Sequence, residues 1–259
     1  MLKKIIKPII VPILNLNYQM KKKLYFKIRI NNILKTLKNG NIKDINKFNE
    51  KNWHHGYCYF TGTFNNKKVF IKVDTKLKML KNEQTFYEIM EDKISKYLTP
   101  IEFFYEDEEL QFIVNEFLSE YKELNEKLLS ENISYLDDIY NILKAMKENK
   151  VIHRDLKLNN FMVDKNCIKI IDFTFSYSLN EKSNFKELDI SKKQNILILN
   201  TLGMGLNPKP FQWNDCCSML KILESTTMLN TENKLELHLE KFNELSSNNT
   251  YSLNLRISK

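Results

Sequence analysis

The chain has 259 residues, of which 42% are hydrophobic and 28% are charged. This length suffices for one large domain or two smaller lobes with a buried core, and the composition excludes a generally disordered chain. The net charge of +8 is unevenly placed, because residues 1–40 hold ten of the 40 Lys and Arg residues and none of the 32 Asp and Glu residues.

The first 40 residues form a basic arm in which lysines are mixed with apolar runs. Such an arm can lie on an anionic membrane surface, hold a nucleic acid, or pack on the domain as a basic leader. The apolar stretch Ile5–Leu16 is shorter than the ~20 residues that a membrane-spanning helix needs, and it contains Lys7, Pro8 and Pro12. The arm also lacks a folded nucleic-acid recognition motif, so no nucleic acid is expected as a partner.

The sequence favours a cytoplasmic protein that can also touch the inner face of a membrane through residues 1–40. No small-residue cleavage site follows the first apolar run, which argues against a secretory signal. The four cysteines have no C-x-x-C spacing, which argues against a zinc site or a disulfide framework.

Residues 57–73 predict a β-hairpin. Two β-rich runs, YCYFTGTF and KKVFIKV, flank the turn residues Asn65 and Asn66. Lys72 lies inside the second apolar run, where a buried ammonium group would need a partner.

The following segment predicts a helix, because its apolar residues recur at helical spacing. These residues are Leu80, Tyr87, Met90, Ile94 and Tyr97. Glu83 falls within this stripe, about 60° from Leu80 around the helix axis, so we expect its side chain to face inward. Lys72 is the candidate partner, and the alternative is that both charges reach the surface.

Further strands and helices are predicted towards the C-terminus. The run IEFFYEDEELQFIVNEFL predicts two strands around an acidic turn, and residues 133–150 predict a helix with Ile139, Leu143 and Met146 on one face. This order predicts an α+β protein with a strand-rich N-terminal lobe and a mainly helical C-terminal lobe. The predicted boundaries are 1–45 for the arm, 46–118 for the N-terminal lobe and 119–259 for the C-terminal lobe.

The stretch VIHRDLKLNNFMVDKNCIKIIDF, residues 151–173, concentrates polar side chains between β-forming runs. A polar loop, HRDLKLNN, follows a short predicted strand and precedes a hairpin whose turn is predicted at residues 164–166. Asp155 and Asn160 from the loop can converge with Asp172, which follows the hairpin. Such oxygen ligands suit Mg²⁺.

This stretch resembles the catalytic loop and metal-binding motif of the protein kinase-like superfamily, H-R-D-L-K-x-x-N followed by a hairpin and I-D-F. Within the resemblance, which covers residues 53–172, Lys72 is similar to the lysine that holds the α- and β-phosphates of ATP. Glu83 is similar to the glutamate that pairs with this lysine. The run IVNEFL, with Glu116, resembles the hinge that offers backbone groups to adenine.

The resemblance implies a bilobal protein kinase-like fold, ATP and Mg²⁺ as cofactors, and a role for each loop residue. Asp155 would orient the acceptor hydroxyl or accept its proton, and Lys157 would neutralise charge near the transferred phosphoryl group. Asn160 and Asp172 would hold Mg²⁺, with Asp172 also part of the ATP site. His153 would pack and form hydrogen bonds within the loop.

Three features depart from the family pattern. The stretch WHHGYCYFTG has only Gly56 and Gly62 where G-x-G-x-x-G would cover the phosphates. Thr174 stands where D-F-G has its glycine, and no A-P-E follows. Asp215 resembles a buried aspartate of the large C-lobe helix, although an ordinary core role for that helix is the simpler interpretation.

The missing peptide-docking signature and the basic apolar N-terminus resemble bacterial sugar and lipopolysaccharide-core kinases. This likeness predicts a sugar or glycolipid acceptor in lipopolysaccharide biosynthesis. The HRDLK form, with Lys157, keeps a Ser/Thr protein kinase with a protein acceptor as the alternative. The poor glycine loop and Thr174 keep a pseudokinase binding module as a further alternative.

Overall fold

A computed structural model of the chain describes residues 2–165, 167–180, 184–203, 205–226, 233–247 and 250–252. Side chains are described from residue 18 onward, except those of residues 233–235. The chain divides into two compact units, each with its own hydrophobic core. The first comprises residues 1–77 and 103–117, and the second comprises residues 78–102 and 118–259.

The first unit is a five-stranded sheet preceded by a long helix, and its strands follow the order β1-β2-β3-β5-β4. Asn65 and Asn66 both adopt left-handed backbone conformations, with φ of 48° and 62°, and they connect β2 to β3. Asparagine tolerates this conformation, which is the one that a two-residue hairpin turn needs, and the predicted hairpin is confirmed. The elements are α1 (Leu2–Asn39), β1 (Lys43–Phe48), β2 (Tyr57–Phe64), β3 (Lys67–Asp74), β4 (Ile101–Glu106) and β5 (Gln111–Glu116).

Helix α1 contributes to the core of the first unit. Phe26, Ile33 and Leu37 are buried there together with strand residues such as Phe60 and Ile71. The arm is therefore packed on the sheet over part of its length, as the basic-leader alternative predicts. Within the described part of the chain, no helix combines the length and the apolar composition that crossing a bilayer requires.

In its described residues, the second unit is mainly helical, with three small sheets of two or three strands. The predicted helix in residues 133–150 is confirmed, and Ile139, Leu143 and Met146 are buried. The α+β class with a strand-rich N-terminal lobe is also confirmed. The elements are α2 (Lys81–Ile94), β6 (Lys122–Glu123), α3 (Glu126–Glu131), α4 (Tyr135–Glu148), β7 (Val151–Ile152), β8 (Phe161–Val163), β9 (Ile168–Ile170), β10 (Tyr177–Ser178), α5 (Lys193–Thr201), β11 (Gln212–Trp213), α6 (Asp215–Ser225), α7 (Asn233–Ser246) and β12 (Tyr251–Ser252).

The two units differ from the predicted domain boundaries at helix α2. Phe86, Met90 and Ile94 on this helix are buried in the core of the second unit. Residues 78–102 therefore group with the second unit, although the sequence prediction placed them inside an N-terminal lobe spanning residues 46–118. The physical reason is that the apolar face of the helix packs in the second core.

The four cysteines are free. Cys58 and Cys216 are buried, and burial raises the pKa of both thiols, that of Cys216 to about 12. A thiol that stays protonated at neutral pH is a poor nucleophile, so these two residues serve the core.

Candidate active site

A buried carboxylate holds the backbone of the loop between β7 and β8 in place. Asp215, at the start of α6, accepts hydrogen bonds from the backbone N–H groups of His153 (2.6 Å) and Arg154 (3.1 Å). Burial raises the pKa of the Asp215 carboxyl, and the neighbouring His153 and Arg154 oppose that shift. From the sequence, Asp215 resembled a buried aspartate of this helix, but an ordinary core role for the helix was the simpler interpretation. The structure assigns Asp215 the role of holding the loop in place.

His153 also fixes the loop. Its side chain is buried, with Nε2 3.0 Å from the carbonyl oxygen of Ile171 and Nδ1 3.3 Å from the backbone N–H of Asp155. A neutral ring that donates through Nε2 and accepts at Nδ1 satisfies both contacts. The ring also packs on Phe173, at 5.3 Å between centroids. These contacts agree with the packing role that the resemblance implies.

Asp155 presents its carboxylate at the partly exposed side of the loop. Oδ2 lies 2.9 Å from Nζ of Lys157, and Oδ1 accepts a hydrogen bond of 2.7 Å from the backbone N–H of Gly203. The side chains of Asp155 and Lys157 are 14% and 24% exposed, so solvent and an acceptor can reach both. The structure thus places the ammonium group of Lys157 beside the carboxylate of Asp155, which can orient a hydroxyl group.

Gly203 is the partner of Asp155 that the sequence did not predict. Its φ of 74° lies in the left-handed region, and a Cβ atom there would lie 2.6 Å from the side chain of Asn207. Glycine is therefore needed at this position on both grounds. Only tertiary structure places it beside Asp155, 48 residues away in sequence.

Asn160 connects the loop to the end of the hairpin. Its buried side chain donates from Nδ2 to the backbone carbonyl oxygen of Asp155 (2.9 Å), and the backbone carbonyl oxygen of Asn160 accepts from the N–H of Ile171 (2.9 Å). Asp172 follows with a left-handed backbone, at φ 69°. The predicted hairpin forms from β8 and β9, which pair Phe161 with Ile170. Asn166 of its predicted turn lies outside the described residues.

The chemistry of Asn160 and Asp172 fits Mg²⁺. Because the amide nitrogen of Asn160 is used within the loop, its amide oxygen is the atom that can bind a cation. Among the residues that the structure describes, no group of three or more His, Cys, Asp or Glu side chains forms a metal site. A smaller set suits Mg²⁺, which usually takes one or two protein ligands and completes its shell with phosphate and water.

Thr174 links the carboxylates of Glu83 and Asp172. Its Oγ1 lies 2.5 Å from Oε1 of Glu83 and 3.1 Å from Oδ1 of Asp172. Glu83, in the first turn of α2, is only 7% exposed, which confirms the predicted inward orientation. The side chain that departs from the family's glycine is therefore a buried hydrogen-bonding residue of the site.

Helix α2 holds the segment after Asp172 through Asn82 as well. This fully buried side chain lies 2.9–3.3 Å from the carbonyl oxygens of Thr174, Ser176 and Lys186, and it accepts the N–H of Lys186 at 2.8 Å. Nearby, Phe86 of α2 stacks on Phe173 with centroids 3.7 Å apart. Sequence reasoning missed Asn82, because an asparagine in a first helical turn gives no signal of its tertiary partners.

Arg154 forms a second anchor for the same segment. The guanidinium is buried, pairs with Glu187 at 2.6 Å and donates from Nε to the carbonyl of Phe175. Its Nη2 makes no hydrogen bond, but the group lies 5.2–5.9 Å from three ring centroids, so cation–π attraction offsets part of its desolvation. The rings are those of Tyr177, Trp213 and Tyr251.

Lys72 and Glu116 lie in the first unit. Lys72, on β3, is 6% exposed, as its apolar flanks predict, and its ammonium lies 5.6 Å from the ring centroid of Tyr57. Its pairing with Glu83 stays a prediction. Glu116 ends β5 opposite Val69 and is exposed, and its place in an adenine site also stays a prediction.

The connection between β1 and β2 is short of glycine, as expected. Gly62 lies inside β2, so Gly56 is the one glycine of residues 49–56. Gly56 has a φ of 93°, and a Cβ atom there would come within 2.4 Å of Cβ of Lys76. This glycine is required by packing against the segment after β3.

The chain matches a known protein family. Residues 58–199 match the model of the protein kinase domain family. This range spans more than half of the chain and includes all seven predicted site residues. No curated protein matches the chain.

Proposed function

This chain belongs to the protein kinase domain family, and from that premise we propose that it phosphorylates a sugar hydroxyl of an envelope glycan, with the lipopolysaccharide core as the first candidate. Membership of the family supports a phosphotransferase of the kinase type. ATP as phosphoryl donor and Mg²⁺ as cofactor are typical of that family.

The observation that carries the kinase activity is the arrangement around Asp155. Its carboxylate lies 2.9 Å from Nζ of Lys157, and Asn160 is fixed to its backbone carbonyl. Phosphoryl transfer needs positioning and charge stabilisation more than covalent chemistry by the protein. The retained Lys72, Glu83, Asp155, Asn160 and Asp172 argue for an active enzyme against a pseudokinase.

Each residue of the loop has a role in this proposal. Asp155 orients the acceptor hydroxyl and takes its proton as the oxygen attacks the γ-phosphorus, and the bond from the γ-phosphorus to the β–γ bridging oxygen breaks so that ADP leaves. Lys157 offsets the negative charge on the transferred group. Asn160 and Asp172 would hold Mg²⁺, which when bound neutralises phosphate charge. Asp215 and His153 keep the loop in position.

The acceptor class rests on the segment after Phe173. Its sequence has no A-P-E motif, and at Asp155 it presents the backbone N–H of Gly203. A compact glycine turn beside the catalytic carboxylate suits a small hydroxyl acceptor. The basic residues 1–40 suit an acceptor carried by an anionic glycolipid at the cytoplasmic face of a membrane. The contact between Lys157 and Asp155 also fits a Ser/Thr protein kinase, which is the second candidate.

A transfer assay with γ-labelled ATP tests both the activity and its acceptor. Wild-type protein is incubated with Mg²⁺ and either cell-envelope glycolipid or soluble protein extract, and we expect label in the glycolipid. Label in protein alone would replace the sugar kinase with a protein kinase. Asp155→Asn should reduce transfer by roughly 100-fold or more, since a positioned general base contributes at least that much.

Asp92→Asn is the matched control for this assay. Asp92 is an exposed aspartate of α2, so the same isosteric change there should leave transfer unaltered. Full activity of a folded Asp155→Asn variant would contradict the catalytic assignment. Absence of Mg²⁺-dependent ATP turnover with every acceptor would favour the pseudokinase.

A further inference from the structure

Helix α1 has one face packed in the first unit and an opposite face that carries exposed apolar side chains. The packed face is formed by Phe26, Ile33 and Leu37, which are at most 6% exposed. Phe26 contacts Trp53 at 5.1 Å between ring centroids. These contacts fix the rotation of the helix, and so determine which residues point away from the sheet.

The outward face carries a line of three large apolar residues. Met20, Leu24 and Ile28 are 57%, 58% and 68% exposed. Their spacing of four residues places them in one row, and at about 100° per residue the centre of that row lies about 160° around the axis from the packed face. Large apolar side chains left this exposed in a row indicate an interaction surface.

Lysines border this row. Lys21 and Lys27 flank it, and Lys35 continues the same face about two turns beyond Ile28; all three are exposed. Residues 1–40 contain no acidic residue, so nothing in the helix itself neutralises them. We define the outward face of α1 as Met20, Leu24 and Ile28 together with Lys21, Lys27 and Lys35.

We propose that the outward face of α1 docks on an anionic lipid surface. A helix with an apolar row and a basic border lies in the membrane interface, with the apolar side chains among the acyl chains and the lysines at the headgroups. Each lysine near an anionic surface adds attraction of about 1 kcal/mol. An anionic lipid surface thus matches both the apolar row and the basic border.

Other occupants fit this face less well. A second copy of the chain would bring the same lysines against each other, and like charges at an interface oppose association. A nucleic acid would attract the lysines but would offer little to Leu24 and Ile28. The proposal rests on the proposed function, in which the acceptor is a glycolipid at a membrane. The binding assay for this face needs neither ATP nor an acceptor, so membrane docking and kinase activity can each fail independently of the other.

The test is flotation of the full chain with lipid vesicles. Vesicles of neutral phosphatidylcholine are compared with vesicles that also contain 30% phosphatidylglycerol, at low and high salt. We expect binding to the anionic vesicles, weak binding to the neutral ones, and weakening by salt. Equal binding to both kinds of vesicle, or to neither, would overturn the proposal.

Two sets of variants separate the apolar and the basic contributions. Leu24→Gln with Ile28→Gln should weaken binding to anionic vesicles by about tenfold or more, because two interfacial side chains are lost. Lys21→Gln with Lys27→Gln and Lys35→Gln should weaken it by roughly 100-fold at low salt. Glutamine is a good helix former, so the helix is retained in both variants.

The control changes equally exposed residues elsewhere. Leu197 and Leu237 are 57% and 52% exposed, so Leu197→Gln with Leu237→Gln removes two similar side chains from other helices. This variant should bind vesicles as the wild type does, and an equal loss of binding would contradict a dedicated face. A concentration-dependent dimer that Leu24→Gln with Ile28→Gln abolishes would instead assign the face to self-association and overturn the membrane proposal.

Discussion

At the scale of single residues, Thr174 stands where the family pattern has a glycine, and its side chain helps to position two carboxylates. The hydroxyl of Thr174 lies within hydrogen-bonding distance of both Glu83 and Asp172. A hydrogen bond to a charged group contributes about 1.5–3 kcal/mol, more than a neutral one. The departure from D-F-G therefore supplies an interaction that glycine cannot make.

Changing Thr174 to valine should lower activity and raise the Mg²⁺ requirement. Valine keeps the β-branched shape but removes the hydroxyl between two carboxylates, so we expect transfer to fall by roughly 10- to 100-fold. The apparent KM for Mg²⁺ should rise, because the orientation of Asp172 loses this support. Steady-state kinetics over a Mg²⁺ titration measures both effects.

Serine and glycine variants at position 174 distinguish the effect of the hydroxyl group from the effect of backbone freedom. Thr174→Ser keeps the hydroxyl and should stay close to wild type, whereas Thr174→Gly should resemble Thr174→Val. A glycine variant more active than wild type would mean that the threonine restrains the enzyme and does not support it.

At the scale of elements, the first turn of α2 organises the segment that follows Asp172. Asn82 contacts the backbone of that segment at Thr174, Ser176 and Lys186, and Phe86 stacks on Phe173. One helix thus fixes both the start of the segment and a point 14 residues beyond Asp172.

Asn82→Ala should loosen this segment while the first unit remains folded. The change leaves several buried backbone groups without their partner, at a cost of about 1–3 kcal/mol each, so we expect the segment to open locally. Hydrogen exchange at the Lys186 amide should then speed up by at least about tenfold, with a parallel fall in transfer activity.

Asn82→Asp is the informative comparison. Aspartate can still accept the N–H of Lys186 but has no amide hydrogens to donate to the carbonyl groups of the segment, so protection of that amide should survive while the rest of the segment loosens. Equal rates of hydrogen exchange at the Lys186 amide in wild type and Asn82→Ala would show that other contacts hold the segment in place.

Local sequence patterns predicted the elements whose signals are local. The hairpin at Asn65 and Asn66 and the buried row on α4 follow from turn chemistry and periodicity. Strand β1, KDINKF, was missed because its residues are mostly exposed, so it has no alternating apolar pattern. The contacts of Asp155 with Gly203 and of Arg154 with Glu187 were missed because they join distant segments, for which spacing carries no information.

At the scale of the whole molecule, the chain builds two separate cores, and the residues of each unit are not contiguous in sequence. Helix α2 lies between strands of the first unit in sequence, yet its apolar face belongs to the second core. The predicted lobes are continuous stretches divided at residue 118, whereas the chain enters the second unit at residue 78, returns to the first at residue 103 and leaves it again at residue 118.

The two tryptophans make the independence of these cores measurable. Trp53 is buried in the first unit and Trp213 in the second, and they are the only two in the chain. Variants with one tryptophan replaced by phenylalanine therefore report the unfolding of one unit each by fluorescence. Trp213 donates no hydrogen bond from its buried Nε1, so its replacement by phenylalanine costs no such bond.

Truncating one core should shift mainly the transition of its own unit. Leu143→Ala, in the second core, should cost about 2–5 kcal/mol and lower the denaturant midpoint reported by Trp213. Phe60→Ala, in the first core, should cost about 3–5 kcal/mol and lower the midpoint reported by Trp53. Each change should move the other tryptophan's midpoint much less, because the two clusters share no residue among those described. Equal shifts at both tryptophans would instead mean that the two cores unfold as one cooperative unit.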